Sequence, residues 1–212
     1  MKTPALRQPI IKFCGFLALL GCLLVSLGDV AGAIVAGHNP ISETISKLAI
    51  GEHAWIQDLG LDAYAVGVAA LSFGLFLRIE GDVRWHAGLA LLVALSVNIF
   101  LIAEHNQYAG RPGRGAAIHI YLVYILYGLV ALIPILLAKE VRYFGQKWRT
   151  YSYTFASLWL VLAPFFFLVP DWVNGAYERF LALFLVFGAG ALGYKLFQTQ
   201  QQGKLLRGTK TS

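Results

Sequence analysis

The sequence predicts an all-α integral membrane fold, a bundle of six transmembrane helices with a short interfacial helix after the first. Three observations carry this. The 212 residues are 58% hydrophobic and only 13% charged, with a mean hydropathy of +0.66. Soluble domains carry about 25% charged residues, so this chain has too few charges to cover a water-facing surface. Its apolar residues form continuous runs instead of alternating, which excludes a closed β-barrel. Lys and Arg, finally, gather in alternate loops. The whole chain, 1–212, reads as a single membrane domain.

A helix needs roughly 20 apolar residues to cross the hydrocarbon core. Six runs approach or exceed that length, at about 13–37, 59–77, 85–103, 116–138, 153–169 and 180–197. The first holds Cys14 and Cys22. They are eight residues apart, too far along one helix to bond, and read as small apolar side chains. Ala31-Gly32-Ala33 resembles a signal-cleavage site, and Leu19-Leu20-Gly21-Cys22 a lipoprotein site. The apolar stretch continues well past Cys22, so the first run is expected to remain a membrane helix. The loop at Gly110-Arg111-Pro112-Gly113-Arg114-Gly115 lacks the preceding strand that a phosphate-binding glycine loop needs. In the sixth run, Gly188-Ala189-Gly190-Ala191-Leu192-Gly193 offers small residues for close helix contact. Residues 198–212 read as a polar, basic cytoplasmic tail.

Orientation follows from the cations. Lys2, Arg7 and Lys12 precede the first run, and Arg78 and Arg84 lie between the second and third. Lys139, Arg142, Lys147 and Arg149 lie between the fourth and fifth, and Lys195, Lys204, Arg207 and Lys210 close the chain. These are 13 of the 17 Lys and Arg; Lys47, Arg111, Arg114 and Arg179 fall on the other side. The positive-inside rule therefore places both termini in the cytoplasm, in the cytoplasmic (inner) membrane of the cell. The net charge of +6 is a topology signal that meets lipid headgroups. It lacks the aromatic interleaving of a nucleic-acid platform. Membrane lipids are the expected partners, nucleic acid is not, and no feature sets an oligomeric state. Trp55, Trp85, Trp148 and Trp172 stand at run ends, where an aromatic belt is expected.

The outer segment after the first run, Asn39-Pro40-Ile41-Ser42-Glu43-Thr44-Ile45-Ser46-Lys47-Leu48, predicts the interfacial helix. Asn39 suits an N-cap and Pro40 the first helical position. Ile41, Ile45 and Leu48 recur on one face, and Gly51 can end the helix. Glu43 and Ser46 face either water or the bundle. Further ionisable residues share the outer half of the bundle: Asp29, Asp62, Glu104, His105, His119 and Arg179, with Glu178 beside the last. Such groups are costly in hydrocarbon and usually face the bundle interior or a water-filled cavity.

Together Asp29, Glu43, Ser46, Asp62, Glu104, His105, His119 and Arg179 are the candidate pocket. The reading favoured is a non-enzymatic, outer-leaflet polar pocket for a lipid headgroup or small polar ligand, with no cofactor implied. The alternative is an intramembrane, metal-dependent lipid hydrolase, with zinc on His105, His119 and a carboxylate. No tight two-His helical spacing supports it. A nucleophilic triad on Ser46 lacks a nucleophile elbow, and haem lacks a second histidine at the depth of His86. A small transporter, the third reading, lacks paired interruptions in two halves.

The outer segment, the stretch Ala54-Trp55-Ile56-Gln57-Asp58-Leu59-Gly60, His119 opening the fourth run, and the Gly-x-x-x-Arg of Gly175 and Arg179 carry a resemblance. Together they resemble the bacterial and archaeal membrane family known as domain of unknown function 998, over roughly Phe13 to Phe197. Where members often carry an Asp-Pro turn after the third helix, this chain has Glu104-His105-Asn106. The resemblance implies six helices and no established activity.

Overall fold

The computed structural model describes residues 7–105, 108 and 113–198, and every regular element among them is helical. The helices are α1 (Arg7–Ala36), α2 (Ile45–Leu48), α3 (Ala54–Arg78), α4 (Val83–His105), α5 (Arg114–Leu137), α6 (Lys147–Phe165) and α7 (Asn174–Phe197). One-turn 3₁₀ segments, Val141–Phe144 and Asp171–Val173, precede α6 and α7. The tail beyond Gln198 and residues 109–112 of the glycine-rich loop lie outside the described residues.

Five of the helices are long and apolar enough to cross a membrane: α1, α3, α4, α5 from Ala117, and α7 with the turn before it. The sequence predicted six, and α6 makes the difference. It begins at Lys147, well before the apolar run at 153, and ends at Phe165, just past Pro164. Lys147, Arg149, Thr150, Ser152 and Thr154 lower the hydropathy of its first half. Polar residues do not end a helix, whereas lost backbone bonding does. For that reason α1, α3 and α7 also start several residues before their apolar runs.

α1 is finished by a Schellman turn. Gly37 sits at φ 66°, and the His38 N–H donates to Ala33 O at 2.9 Å. The chain then crosses the outer segment and returns through α3, which packs antiparallel on α1 along a seam of glycines. A Cβ on Gly21 would lie 2.6 Å from Ala63 O, and one on Gly67 would lie 3.0 Å from Leu17 O. No side chain fits there, so the backbones approach as small-residue membrane seams do. α7 packs on the other flank of α1, and a Cβ on Gly15 would meet the Phe197 N–H group at 2.6 Å. The Gly188 to Gly193 stretch serves two neighbours. Gly193 faces Ala18 of α1, whereas Gly188 faces the Phe155 ring of α6.

Serine hydroxyls join α3 to α4: Ser72 donates to Leu89 O at 2.9 Å and Ser96 to Ala65 O at 2.7 Å. α5 follows α4, and α6 closes against α5 and α7. There Trp159 Nε1 donates to Tyr127 O at 3.0 Å, and Phe155 stacks on Phe184 at 4.4 Å between centroids. Two buried clusters result, one centred on Val68, Leu71, Leu75 and Trp85 and one on Val130, Trp159 and Leu181. Trp85 corrects the aromatic-belt expectation, since it is fully buried. Trp55 and Trp172 are exposed as a belt requires, and Trp148 is half-buried among Phe144, Tyr151 and Lys195.

Candidate functional site: a charged clamp and an outer cavity

The outer segment is not the single helix its pattern predicted. Asn39 does cap a turn: its Oδ1 accepts from the Ile41 N–H at 3.0 Å, and its own N–H donates to Glu43 Oε2 at 2.8 Å. The chain then extends at Thr44, with ψ 156°, and only Ile45–Leu48 is helical. The reason lies in α7. A continuous helix would use the carbonyls of Pro40, Ile41 and Glu43 for its own amides. Here Arg179 Nη1 donates to Pro40 O at 2.9 Å and to Glu43 O at 2.7 Å. Ile41 O accepts from the Ala176 N–H at 2.9 Å, one of the orphan donors at the start of α7. The Glu178 carboxylate in turn accepts from the Ile45 N–H and, at 3.3 Å, from the Ser46 hydroxyl. The first turns of α7 thus take the place of the segment's own helical bonds.

The same guanidinium reaches α1. Arg179 Nε donates to Asp29 Oδ2 at 3.1 Å, and Nη2 lies 3.0 Å from Asp29 Oδ1, an ionic contact off the hydrogen-bond angle. The two side chains are 14% and 19% exposed, which places the pair at the bundle edge. Asp29 is seven residues before the end of α1, about 10 Å along the axis, where an unpaired carboxylate would be costly. One arginine therefore ties α1, the outer segment and α7 together. Gly175 makes room for this, because a Cβ there would collide with the Glu43 backbone.

The clamp fixes one wall of an outward-open cavity of about 520 Å³. Ser42, Glu43, Thr44 and Lys47 form that wall, and Asp171, Trp172 and Asn174 form the facing one. Asn174 Oδ1 is buried without a hydrogen-bond partner among the described residues. The lining thus carries one ammonium, two carboxylates, hydroxyls, an amide and an exposed indole.

Of the residues singled out from sequence, Asp29, Glu43, Ser46 and Arg179 come together here. Ser46 turns inward to Glu178, whereas the Glu43 carboxylate stays on its own segment. Asp62, Glu104, His105 and His119 sit on α3, α4 and α5. Asp62 is close enough to Glu104, and His119 to His105, for their charges to interact. His119 is 7% exposed with Nδ1 unpartnered among the described residues, and His105 Nδ1 is 2.9 Å from Leu101 O of its own helix. No group of three His, Cys, Asp or Glu side chains is placed to hold a metal ion among the described residues. Zinc on His105 and His119 therefore lacks a third ligand there. Of the lining residues only Glu43 was among the sequence candidates; Ser42, Thr44, Lys47, Asp171, Trp172 and Asn174 were missed.

Among the described residues, an all-helical architecture with five helices long and apolar enough to cross a membrane, and a charged clamp joining the end of α1 to the start of α7, fits a helical membrane protein. The chain belongs to the family described as Protein of unknown function (DUF998), which matches residues 19–196. No curated protein and no solved structure matches it.

Proposed function

We propose that this protein is a six-span membrane protein whose outer cavity binds the polar headgroup of a lipid or a small polar ligand of the same chemistry. The observation that carries the reading is the cavity of about 520 Å³ between the clamped segment and the start of α7. Its chemistry suits a ligand with both an anionic and a cationic or hydroxyl-bearing part. Lys47 is placed for a phosphate and Asp171 for an ammonium or hydroxyl group. The exposed Trp172 indole, 71% accessible, suits the membrane–water boundary. Asn174 Oδ1 would gain the donor it lacks.

The topology reading supports this placement. α6 has 19 residues, about 28 Å of helix, close to the roughly 30 Å hydrocarbon thickness. If it crosses with the five apolar helices, both termini lie on one side. The cation bias makes that side the cytoplasm and puts the cavity outside.

The test is thermal unfolding of the purified protein with a short-chain phospholipid or with free glycerol phosphate. Both are expected to raise Tm if the ligand is small and soluble, and only the phospholipid if acyl chains contribute. The rise should disappear in Lys47→Gln and Asp171→Asn. No rise with either compound would overturn the reading.

A further inference from the structure

A second groove lies at the opposite end of the bundle, along the outward face of α6, with a volume of about 740 Å³. Arg149, Thr150, Thr154, Ser157, Leu158 and Val161 line it and are all exposed. The other face of α6 is buried through Ala156, Trp159 and Ala163. We propose that this groove holds one anionic phospholipid of the cytoplasmic leaflet. The site is distinct from the outer cavity, although its sidedness rests on the six-span reading.

Polarity changes along the groove in the order that a phospholipid does. From Arg149 to Thr154 is about 7.5 Å of helix, close to the roughly 5–8 Å interfacial layer of one leaflet. Ser157 marks the turn to hydrocarbon, and Leu158 and Val161 continue into it. The upper part is rich in donors. Arg149 presents a guanidinium, held 5.9 Å over the Tyr153 ring, and a guanidinium has no acceptor. Ser152, on another face, satisfies its hydroxyl on Trp148 O at 3.0 Å. Thr150, Thr154 and Ser157 make no such bond among the described residues, so their hydroxyls are left for an occupant. A phosphate at Arg149 and ester carbonyls at the hydroxyls supply acceptors at the matching depths. A second copy of the chain fits less well, because a two-fold axis along the membrane normal would bring Arg149 against its own counterpart.

Native mass spectrometry of the full chain in mild detergent, with equal phosphatidylglycerol and phosphatidylcholine, tests this. The parent should retain phosphatidylglycerol in preference. Arg149→Gln should retain at least roughly tenfold less, the loss of one charge-assisted contact, and Thr154→Val should weaken retention further. Arg149→Lys should keep much of the charge selectivity, and Arg149→Gln should cause the same fold loss in a Lys47→Gln background as in the parent. Failure at the outer cavity would appear only in the Lys47 and Asp171 variants, and a failed topology only in reporter fusions. Equal retention of both lipids, unchanged retention by a normally folded Arg149→Gln, or a lipid-free two-chain species would overturn the proposal.

Discussion

Arg179 illustrates why a residue's worth depends on what it leaves behind. Its fork holds Asp29, two backbone carbonyls of the outer segment and the Gly175 carbonyl of its own helix at once, which a point charge on a flexible stem does not reproduce. Arg179→Ala strands the Asp29 carboxylate and removes the positive charge beside Glu178. Breaking a largely buried pair in this way costs on the order of 3–5 kcal/mol. We expect a large fall in the midpoint of thermal unfolding, with Arg179→Lys between parent and alanine. A variant as stable as the parent would reduce Arg179 to a surface anchor. Arg179 and Asp29 were legible as polar residues at one depth, where either alone is costly, but so was Asp62, and the sequence did not choose between the two acids. The two carbonyl contacts were not legible, because nothing in a side-chain pattern announces which backbone acceptors are diverted.

At the scale of elements, the outer segment is held by another helix's bonds more than by its own. Gly175→Ala is therefore expected to act at a distance in sequence. Its Cβ would push on the Glu43 backbone, so amide hydrogen exchange across 41–48 should quicken while α3 and α4 stay protected. Unchanged exchange in 41–48 would mean that the segment is not docked through α7. The predicted continuous helix failed here for the same reason. Apolar spacing at Ile41, Ile45 and Leu48 is compatible with a helix, and Leu48 does bury, but competing donors on α7 decided the backbone. At the other end of the bundle, Asp82 caps α4 through the Arg84 and Trp85 N–H groups and meets Lys139 at 2.7 Å. The hydrogen bond from Lys139, then the Trp85 N–H, hold the Asp82 carboxyl below its usual range. A depressed carboxylate stabilises at neutral pH, and its contribution is lost as pH falls through the folded value. The stability gap between parent and Asp82→Asn should thus be small at pH 7 and shrink further below about pH 4. A gap that widened in acid would contradict the ion pair.

Over the whole molecule, helix number and order were largely readable because apolar run length is a direct consequence of bilayer thickness. α6 was the weak point. Its polar first half shifts the helix toward Lys147 and leaves five helices among the described residues that are long and apolar enough to cross. The glycine seam between α1 and α3 was also hidden, since glycine spacing in one helix does not name its partner. What unifies the molecule is the outward cavity, walled by a segment that Glu178 and Arg179 hold in place. A cysteine at Ser42 tests this most directly, because the native Cys14 and Cys22 are both buried and should stay silent. Ser42→Cys in intact cells is exposed to a membrane-impermeant thiol reagent, with and without a short-chain phospholipid. Rapid labelling from outside, slowed by the phospholipid, is expected. Labelling only after the membrane is opened, or at a rate that the phospholipid leaves unchanged, would contradict it.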